Sequence, residues 1–409
     1  MLMNRVVITG RGAVSPFGLG VPALTDGIWQ GLTGVRHMES WAEIGGLKSH
    51  LAAPAPPFNA KKLLPRPLRR TMGRTAVFAA LAAKEAANDA KLSQVDLSSG
   101  LTGAAIGSTT GSPAAYEDFY QAYLPEKEIG RIKSGEFFKM MSHSCSANVC
   151  LALGLKGEQW APASACTSAA QAIGLGYMLI QTGRQKFMLC GGSDEVHQSV
   201  TGVFDVVKAA SNKNSTPDLT PSPFDLDRDG VVCGEGSGIL VLESYDSAVA
   251  RGARIYCEIL GFGNVNDNEH IANPHEGAMA RAINSCLAEA GISPSDIDYV
   301  NAHATGTEQG DIAEAAAIHI VLGNNTPVSS LKGHIGHTLG AAGSLETIAV
   351  LEMMKRQELI PTRNLVNPDP QCGQIDLLLD KKKKTIDTVL KNNFALGGVN
   401  TALVLRRVP

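Results

Sequence analysis

The chain lacks several features that define whole classes of protein. No uninterrupted apolar stretch approaches the length of about 18 residues that spans a bilayer. Its eight cysteines are scattered without the paired spacing of zinc sites, and its net charge of -3 gives no reason to expect nucleic acid as a partner. The N-terminus runs straight into an apolar, strand-like segment without a signal-peptide pattern. These absences predict a cytoplasmic protein that binds neither membrane nor nucleic acid.

What the chain does contain is typical of a well-packed α/β protein. It has 409 residues, of which 44% are hydrophobic and 43 are glycine. That length is too great for one ordinary core and suits two units of roughly 150 to 250 residues. The local pattern predicts strands at residues 6–8 and 101–106, an alanine-rich helix at 76–90, an irregular surface segment at 33–70, and a helical, aromatic insertion at 114–140.

Four short segments of the first half have counterparts in the second half, in the same order. They pair residues 8–14 with 259–265, 90–97 with 290–297, the helix start at Cys166 with 337–343, and 189–192 with 395–398. Four matches in register indicate an internal duplication. The sequence therefore predicts two copies of one α/β unit, covering residues 1–250 and 251–409.

A predicted strand-to-helix turn surrounds Cys166. Small residues at 162–165 lead into this cysteine, and a small-residue run with helical character follows it. Unpaired backbone N–H groups and the positive end of the helix dipole would lower the pKa of a thiol there, and a lowered pKa makes cysteine a usable nucleophile. The alternative is a structural cysteine packed as a small hydrophobe. This stretch alone does not decide between the two.

Two clusters in the second half add groups suited to catalysis. His303 lies in a glycine- and threonine-rich loop at the end of a predicted strand, where α/β proteins usually bind ligands. Residues 330–337 supply Lys332 and His337. In a duplicated fold, the helix starts that carry Cys166 and His337 would both lie near the pseudo-twofold axis. We therefore predict that this thiol and this imidazole share a site.

Three ligand-binding patterns are incomplete. The glycines at 10 and 12 lack the third glycine of a dinucleotide fingerprint. The segment 225–230 starts like a calcium loop, but its glutamate comes one residue early and a glycine-rich strand pattern follows. A zinc site from His303, His334 and His337 has no cysteine or carboxylate at ligand spacing to complete it. We predict no bound metal.

Taken together, the motifs resemble those of the β-ketoacyl-acyl-carrier-protein synthases, in the fatty-acid-elongating branch of the thiolase-like superfamily. The resemblance covers nearly the whole chain. It depends on residues 7–10, 15–18, 165–168, 224–230, 234–236, 301–311, 332–346 and 397–398.

The resemblance implies a decarboxylative Claisen condensation. Cys166 would hold an acyl group as a thioester, and the backbone N–H groups of Cys166 and Leu396 would form the oxyanion hole for that transfer. His303 and His337 would then hydrogen-bond the carbonyl of a malonyl thioester through Nε2. Two such donors in a dry pocket would stabilise the enolate that remains when carbon dioxide leaves.

The resemblance also assigns supporting roles, binding roles and an assembly. Lys332 would orient the loop and hold charge near the histidines, with Glu346 as its partner and Asp311 in support. Thr305 and Thr307 would meet the phosphopantetheine arm, while Phe204 and Leu396 would belong to the acyl gate. No cofactor would be bound, since an acyl carrier protein delivers that arm. The family's five-layered α-β-α-β-α fold would form from the two halves, and the chain would form a homodimer or pair with a related subunit.

The chain departs from the family pattern at two positions. Ala304 replaces the usual glycine after the first catalytic histidine, and Leu396 replaces the phenylalanine that gates the acyl pocket. These differences lead us to expect a specialised fatty-acid, polyene or polyketide pathway. The four lysines at 381–384 predict a solvated turn, with docking of an acidic carrier as the alternative.

Two other activities remain as alternatives. A thiolase needs a second cysteine in a C-terminal Cys-x-Gly motif, whereas this chain has Gly397 and Gly398 there and Cys372 well upstream. A non-catalytic, chain-length-determining subunit would replace the nucleophile, whereas this chain keeps Cys166.

Overall fold

A computed structural model describes residues 3–408. Within that range the strands are β1 Val6–Ser15, β2 Gly18–Leu19, β3 Arg36–His37, β4 Leu51–Ala52, β5 Thr102–Gly107, β6 Gln159–Trp160, β7 Phe187–Asp194, β8 Gly236–Ser244, β9 Cys257–Asn266, β10 Tyr299–Asn301, β11 Pro327–Ser329, β12 Glu358–Leu359, β13 Asp376–Leu377, β14 Lys382–Lys383, β15 Thr388–Ala395 and β16 Val399–Arg406. The helices are α1 Val21–Trp29, α2 Ala60–Leu63, α3 Arg66–Arg69, α4 Arg74–Asp89, α5 Gln94–Leu97, α6 Pro113–Tyr123, α7 Ser134–Met140, α8 Ser144–Leu153, α9 Ser168–Gln181, α10 Gln198–Val206, α11 Tyr245–Ala250, α12 Glu276–Ala290, α13 Glu308–Leu322, α14 Lys332–Ile335 and α15 Ala342–Arg356.

The main sheet contains the same strand arrangement twice. In the first half the spatial order is β6-β5-β7-β8-β1, and in the second half it is β11-β10-β15-β16-β9. Numbered by their order along the chain, the five strands of either half follow the order 3-2-4-5-1. The halves join where β1 pairs antiparallel with β9, from Val6 opposite Ile259 to Ile8 opposite Cys257. This repetition agrees with a duplication; the boundary at residue 250 stays a prediction.

The helices form three layers around the two halves of the sheet. Helix α4 packs on β1, β7 and β8, with α8 beside it, and α12 packs on β9 and β16, with α13 beside it. Helices α9 and α15 contact strands of both halves and each other, so they form the middle layer. The five-layered α-β-α-β-α, thiolase-like architecture is confirmed.

Glycines explain why the segments 8–14 and 259–265 have similar sequences. A Cβ at Gly12 would lie 1.9 Å from the Ala82 carbonyl oxygen, and one at Gly263 would lie 2.1 Å from that of Ala282. Real Cβ atoms do not approach carbonyl oxygens this closely, so each strand can meet its helix only where it carries glycine. The glycines of β1 are therefore packing residues of the core.

The observed elements agree with most of the local predictions. The predicted helix at 76–90 is Arg74–Asp89, the predicted strand at 101–106 is Thr102–Gly107, and the insertion at 114–140 contains α6 and α7. The prediction of a turn at 381–384 is wrong, because Lys382–Lys383 forms a strand that pairs antiparallel with Glu358–Leu359. Within residues 3–408, no helix is both long enough and apolar enough to cross a membrane.

Candidate active site

Cys166 lies on a short turn that leads into the middle helix layer. The 3-10 turn Ala165–Thr167 begins at a positive φ of 49° and is followed directly by Ser168–Gln181. The Ser168 hydroxyl donates a hydrogen bond to the Ala165 carbonyl oxygen at 2.7 Å, which fixes the turn. The cysteine is 6% exposed and lines a cavity of about 490 Å³.

The predicted lowering of the thiol pKa is wrong for the free protein. Burial raises the pKa of Cys166 to about 12, and the positive charge of Lys332 only partly opposes this shift. The helix start was expected to favour the thiolate, but the cost of burying a charge exceeds that local effect. Cys166 therefore rests as a thiol.

His337 provides the direct contact to this thiol. Its Nε2 lies 2.8 Å from Cys166 Sγ. The backbone holds the residue on both sides, because the His337 N–H donates to the Val232 carbonyl oxygen at 2.7 Å and the Gly234 N–H donates to the His337 carbonyl oxygen at 2.8 Å. Burial, followed by the charges of Lys332 and Lys391, lowers the pKa of His337 well below its ordinary value. A neutral imidazole thus faces a neutral thiol.

His303 completes the group from the loop after β10. Its ring centroid lies 5.1 Å from that of His337, with the rings nearly perpendicular. Glu314 holds the loop, accepting the N–H of His303 at 2.8 Å and that of Ala304 at 2.6 Å. Burial, then the charge of Lys332, lowers the pKa of His303 well below its ordinary value. The Ala304 methyl group is buried without disturbing these bonds.

A buried charge cluster lies beside the two imidazoles. Glu346 pairs with Lys332 through Oε1 at 2.6 Å and with Lys391 through Oε2 at 2.6 Å. All three side chains are almost completely inaccessible. Burial opposes ionisation of Glu346, but the two ammonium groups hold its pKa below the ordinary value. The predicted partnership of Lys332 with Glu346 is present, with Lys391 as an unforeseen third member.

Asp311 holds two neighbouring loops together. Its carboxylate accepts the N–H groups of Phe224 at 2.8 Å and Gly306 at 3.2 Å. Burial raises the pKa of Asp311 to about 7, while these N–H groups and the nearby Arg228 oppose the shift. The contact with Gly306 links Asp311 to the loop that carries Thr305 and Thr307.

A second carboxylate, Asp194, joins the two halves behind the site. It accepts the Gly340 N–H at 2.6 Å, the Thr109 N–H at 3.0 Å and the Ser108 hydroxyl at 2.6 Å. Burial raises the pKa of Asp194 to about 6 despite these donors. Asp194 thereby ties the turn after His337 to the loop after β5.

Two cavities meet at Cys166. The first contains Cys166, both imidazoles, Thr305 and Thr307, whose Oγ1 atoms lie 3.1 Å apart. The second, of about 700 Å³, extends from Cys166 along α6 and α10. Phe204 and Leu396 line both cavities. All the residues predicted to contact substrate therefore surround one connected space.

Among the described residues, Cys166, His303 and His337 form the only cluster whose side chains could together hold a metal ion. Their ligand atoms lie within 4.8 Å of one another. His334, considered in the sequence for zinc, is not in this set; its Nδ1 bonds to the Leu32 carbonyl oxygen at 2.9 Å. The sulfur and Nε2 of His337 are at hydrogen-bonding distance from each other, which suits proton transfer between them.

Sequence reasoning missed three residues that support the site. They are Glu314, which holds the His303 loop, and Lys391 and Asn393 on β15. A lysine and two asparagines within a strand that is otherwise mostly apolar, at 388–395, could have indicated a buried polar network.

Comparison with known proteins agrees with this geometry. Residues 3–248 match the family model "Beta-ketoacyl synthase, N-terminal domain", and residues 256–366 match "Beta-ketoacyl synthase, C-terminal domain". The chain is 35% identical over 410 residues to 3-oxoacyl-[acyl-carrier-protein] synthase 2 of Synechocystis, covering 99% of this chain and 98% of the relative.

Two solved structures are similar over the full fold. A β-ketoacyl synthase from Burkholderia phymatum has a TM-score of 0.96 and 41% identity, with 100% of each chain covered. A type II polyketide synthase acyl-carrier protein in complex with its ketosynthase has a TM-score of 0.92 and 31% identity, covering 99% of this chain and 100% of that one. The chain therefore belongs to the β-ketoacyl synthase family of acyltransferases.

Proposed function

We propose that the protein condenses an acyl group held on Cys166 with a malonyl group from an acyl carrier protein, forming a β-ketoacyl product two carbons longer. The observation that carries this proposal is the contact of 2.8 Å between Cys166 Sγ and His337 Nε2, with the His303 ring beside them in a cavity. A nucleophile beside a base, with a second imidazole facing the same space, fits a reaction in two halves.

In the first half, His337 takes the thiol proton as the sulfur attacks the acyl thioester. Neutral reactants suit this step, because the proton moves between adjacent groups and no charge has to be buried beforehand. The backbone N–H groups of Cys166 and Leu396 would stabilise the tetrahedral oxyanion. The C–S bond to the carrier then breaks, and the departing sulfur receives the proton from His337.

In the second half, His303 and His337 hydrogen-bond the thioester oxygen of the malonyl group. The bond to the carboxylate breaks, carbon dioxide leaves, and the electron pair passes into an enolate held by the two imidazoles. The enolate carbon attacks the carbonyl of the acyl-Cys166 thioester, forming the new C–C bond. The C–S bond to Cys166 breaks, the β-ketoacyl group leaves on the carrier, and the released sulfur takes up one proton from solvent to restore the thiol.

We propose that the carrier's phosphopantetheine arm enters through the first cavity. Thr305 and Thr307 present hydroxyl groups to an amide-containing arm. Exposed Lys208 lies on the lining of this cavity, where it would attract an acidic carrier. We expect Lys208→Glu to raise KM for carrier-bound malonate, with Lys84→Glu, an exposed lysine on α4, as the matched control.

The second cavity is the proposed site of the acyl chain. Its lining is mostly apolar, but it includes Glu117, which accepts hydrogen bonds from His197 Nε2 at 2.8 Å and Gln198 Nε2 at 3.1 Å. The methylene groups of a saturated chain would contact these polar atoms without forming hydrogen bonds to them. We therefore expect unsaturated or aryl chains that carry a hydroxyl donor to be elongated faster than saturated ones, as a panel of acyl-carrier thioesters would measure.

Assembly and location are further proposals. The first half exposes apolar side chains, among them Phe137 and Phe138 on α7 and Trp160 on the edge strand β6. These side chains favour a homodimer, with a related subunit as the alternative partner. Light scattering of the purified chain would distinguish dimer from monomer. The eight unpaired cysteines agree with the predicted cytoplasmic location.

The alternatives are less well supported. A thiolase would need a second cysteine in the site, but among the residues that line the first cavity Cys166 is the only one. A non-catalytic subunit would have no use for a thiol paired with an imidazole.

The decisive experiment compares Cys166→Ala with the wild-type protein. We expect the variant to lose condensation and acyl attachment, measured by intact-protein mass spectrometry, while it still releases carbon dioxide from malonyl-carrier. Cys150→Ala, which removes a half-buried cysteine on α8, is the control for non-specific acylation. Condensation that survives in Cys166→Ala would overturn the proposal.

A further inference from the structure

Lys391 is a buried lysine for which the condensation described above has no direct role. It lies on β15, is 1% exposed, and forms an ion pair with Glu346 Oε2 at 2.6 Å. Its ammonium group also donates to the Asn392 carbonyl oxygen at 2.6 Å and to Asn393 Oδ1 at 3.0 Å. Lysine is rarely buried in this way unless its protons are satisfied, and here three acceptors surround it.

The contact with Lys391 fixes the orientation of the Asn393 amide. An ammonium group only donates hydrogen bonds, so the amide atom that faces Lys391 must be the oxygen. The NH₂ group of Asn393 then faces His303, with Nδ2 3.4 Å from Nδ1. Because an amide nitrogen also only donates, Nδ1 of His303 must accept, and the single proton of the neutral ring resides on Nε2.

The second imidazole differs in this respect. His337 Nδ1 is buried and has no hydrogen-bond partner among residues 3–408. No contact at Nδ1 therefore fixes its tautomer. This suits a ring that accepts the thiol proton in one half-reaction and donates to the thioester oxygen in the other, whereas His303 needs to donate only.

We propose that Lys391 and Asn393 are positioning residues that lock His303 as an Nε2–H donor. The opposite tautomer would present a lone pair to the enolate oxygen and repel it. The role assigned to this donor rests on the proposed condensation. The tautomer itself is a property of the free protein, so the two can fail separately.

Asn393→Asp provides the sharpest test, because it keeps the shape of the side chain and replaces its donor group with a carboxylate oxygen, whose negative charge lies beside Lys391. The carboxylate would still accept from Lys391 but would also accept from His303, drawing the ring proton to Nδ1. We expect the nitrogen-15 resonances of the His303 ring, in protein labelled at histidine and assigned with His303→Gln, to change from the Nε2–H to the Nδ1–H pattern.

The kinetic result should separate the two half-reactions. Losing one oxyanion donor slows a reaction by about 100-fold or more, so we expect malonyl decarboxylation to fall by about that factor. Acylation of Cys166 should not change, which a general loss of structure would not produce. Thr401→Val is the matched control, because Thr401 donates to the Asn393 backbone oxygen at 2.9 Å and leaves the amide alone.

Each outcome decides the inference. An unchanged ring-nitrogen pattern in Asn393→Asp, or an Nδ1–H pattern in the wild-type protein, would overturn it. If Asn393→Asp does not fold, Lys391→Met serves instead, since it frees the amide to rotate and should give a mixture of tautomers. A wild-type protein with the Nε2–H pattern that releases no carbon dioxide would refute the proposed function while leaving the tautomer assignment intact.

Discussion

The turns at 165–167 and 339–341 have nearly the same backbone but different chemistry. Each is a 3-10 turn that begins with a positive φ, 49° at Ala165 and 52° at Leu339, and each leads directly into a middle-layer helix. The next residue is Cys166 in the first turn and Gly340 in the second. The duplicated fold therefore provides two equivalent positions, of which only one carries a side chain.

Packing explains the difference. A Cβ at Gly340 would lie 2.6 Å from Asp194 Oδ2 and 3.0 Å from the Thr109 nitrogen. The second turn therefore has no room for a nucleophilic side chain at residue 340. The second half of the fold instead supplies His337, three residues before Gly340 in the chain. The comparison also refines the internal repeat, because Cys166 corresponds in backbone geometry to Gly340 and not to His337.

The largest expected effect is a difference between the variants of His337 and His303 in the half-reaction that each one slows. We expect His337→Ala to slow acylation of Cys166 by about 100-fold or more, because the base beside the thiol is lost. His303→Ala should retain acylation and lose decarboxylation. Rapid-quench mass spectrometry and carbon dioxide release measure the two steps, and His334→Ala, a buried histidine outside the first cavity, is the control. Acylation at the wild-type rate in His337→Ala would contradict the assignment.

Gly340→Ala tests whether the second turn tolerates a side chain. Its methyl group would press on Asp194 and the Thr109 backbone, and overpacking of this kind costs about 3 kcal/mol. Denaturant unfolding should show that loss. A variant as stable as the wild-type protein would mean that the two turns differ for another reason.

Asp194, which ties the second turn to the loop after β5, should make stability depend on pH. The unfolded chain releases this proton near pH 4, whereas burial keeps the pKa of Asp194 at about 6 in the folded protein. Folding therefore takes up a proton between these values, and stability falls as pH rises through them. Relative to Asp194→Asn, we expect the wild-type protein to lose about 2 kcal/mol from pH 4 to pH 7. Parallel pH profiles of the two proteins would refute this.

The smallest effect concerns the strain in the first turn. Ala165 adopts a left-handed conformation that favours glycine, so Ala165→Gly should stabilise the protein by about 1 kcal/mol. Leu339→Gly should not, because Leu339 is buried and its side chain would be lost. Thermal unfolding of the two variants provides the comparison, and a loss of stability in Ala165→Gly would show that the turn is not strained.

Much of the site could be predicted because its residues lie in short, ordered motifs. Cys166, His303, His337 and Lys332 were named from small-residue and glycine-rich segments, and the structure brings them together. Glu314 was missed because a glutamate on a helix usually faces solvent, and here its burial depends on the loop that covers it.

Lys391 and Asn393 were missed for a related reason. The lysine and asparagines of their strand indicate a polar network, but the strand alone does not show which residues this network contacts. Only the packing of β15 against α15 brings Glu346 to Lys391. Such contacts join residues far apart in the chain, and local patterns do not report them.

The sequence by itself determined the α/β architecture and the family, and it predicted one site for the thiol and the imidazoles, because glycine spacing and motif order are local properties of a chain. Only the tertiary structure decided the ionisation of those groups. Burial keeps Cys166 a thiol with a pKa of about 12, against the expectation from its helix start. Desolvation depends on everything that surrounds a group, and the chain on its own does not specify that environment.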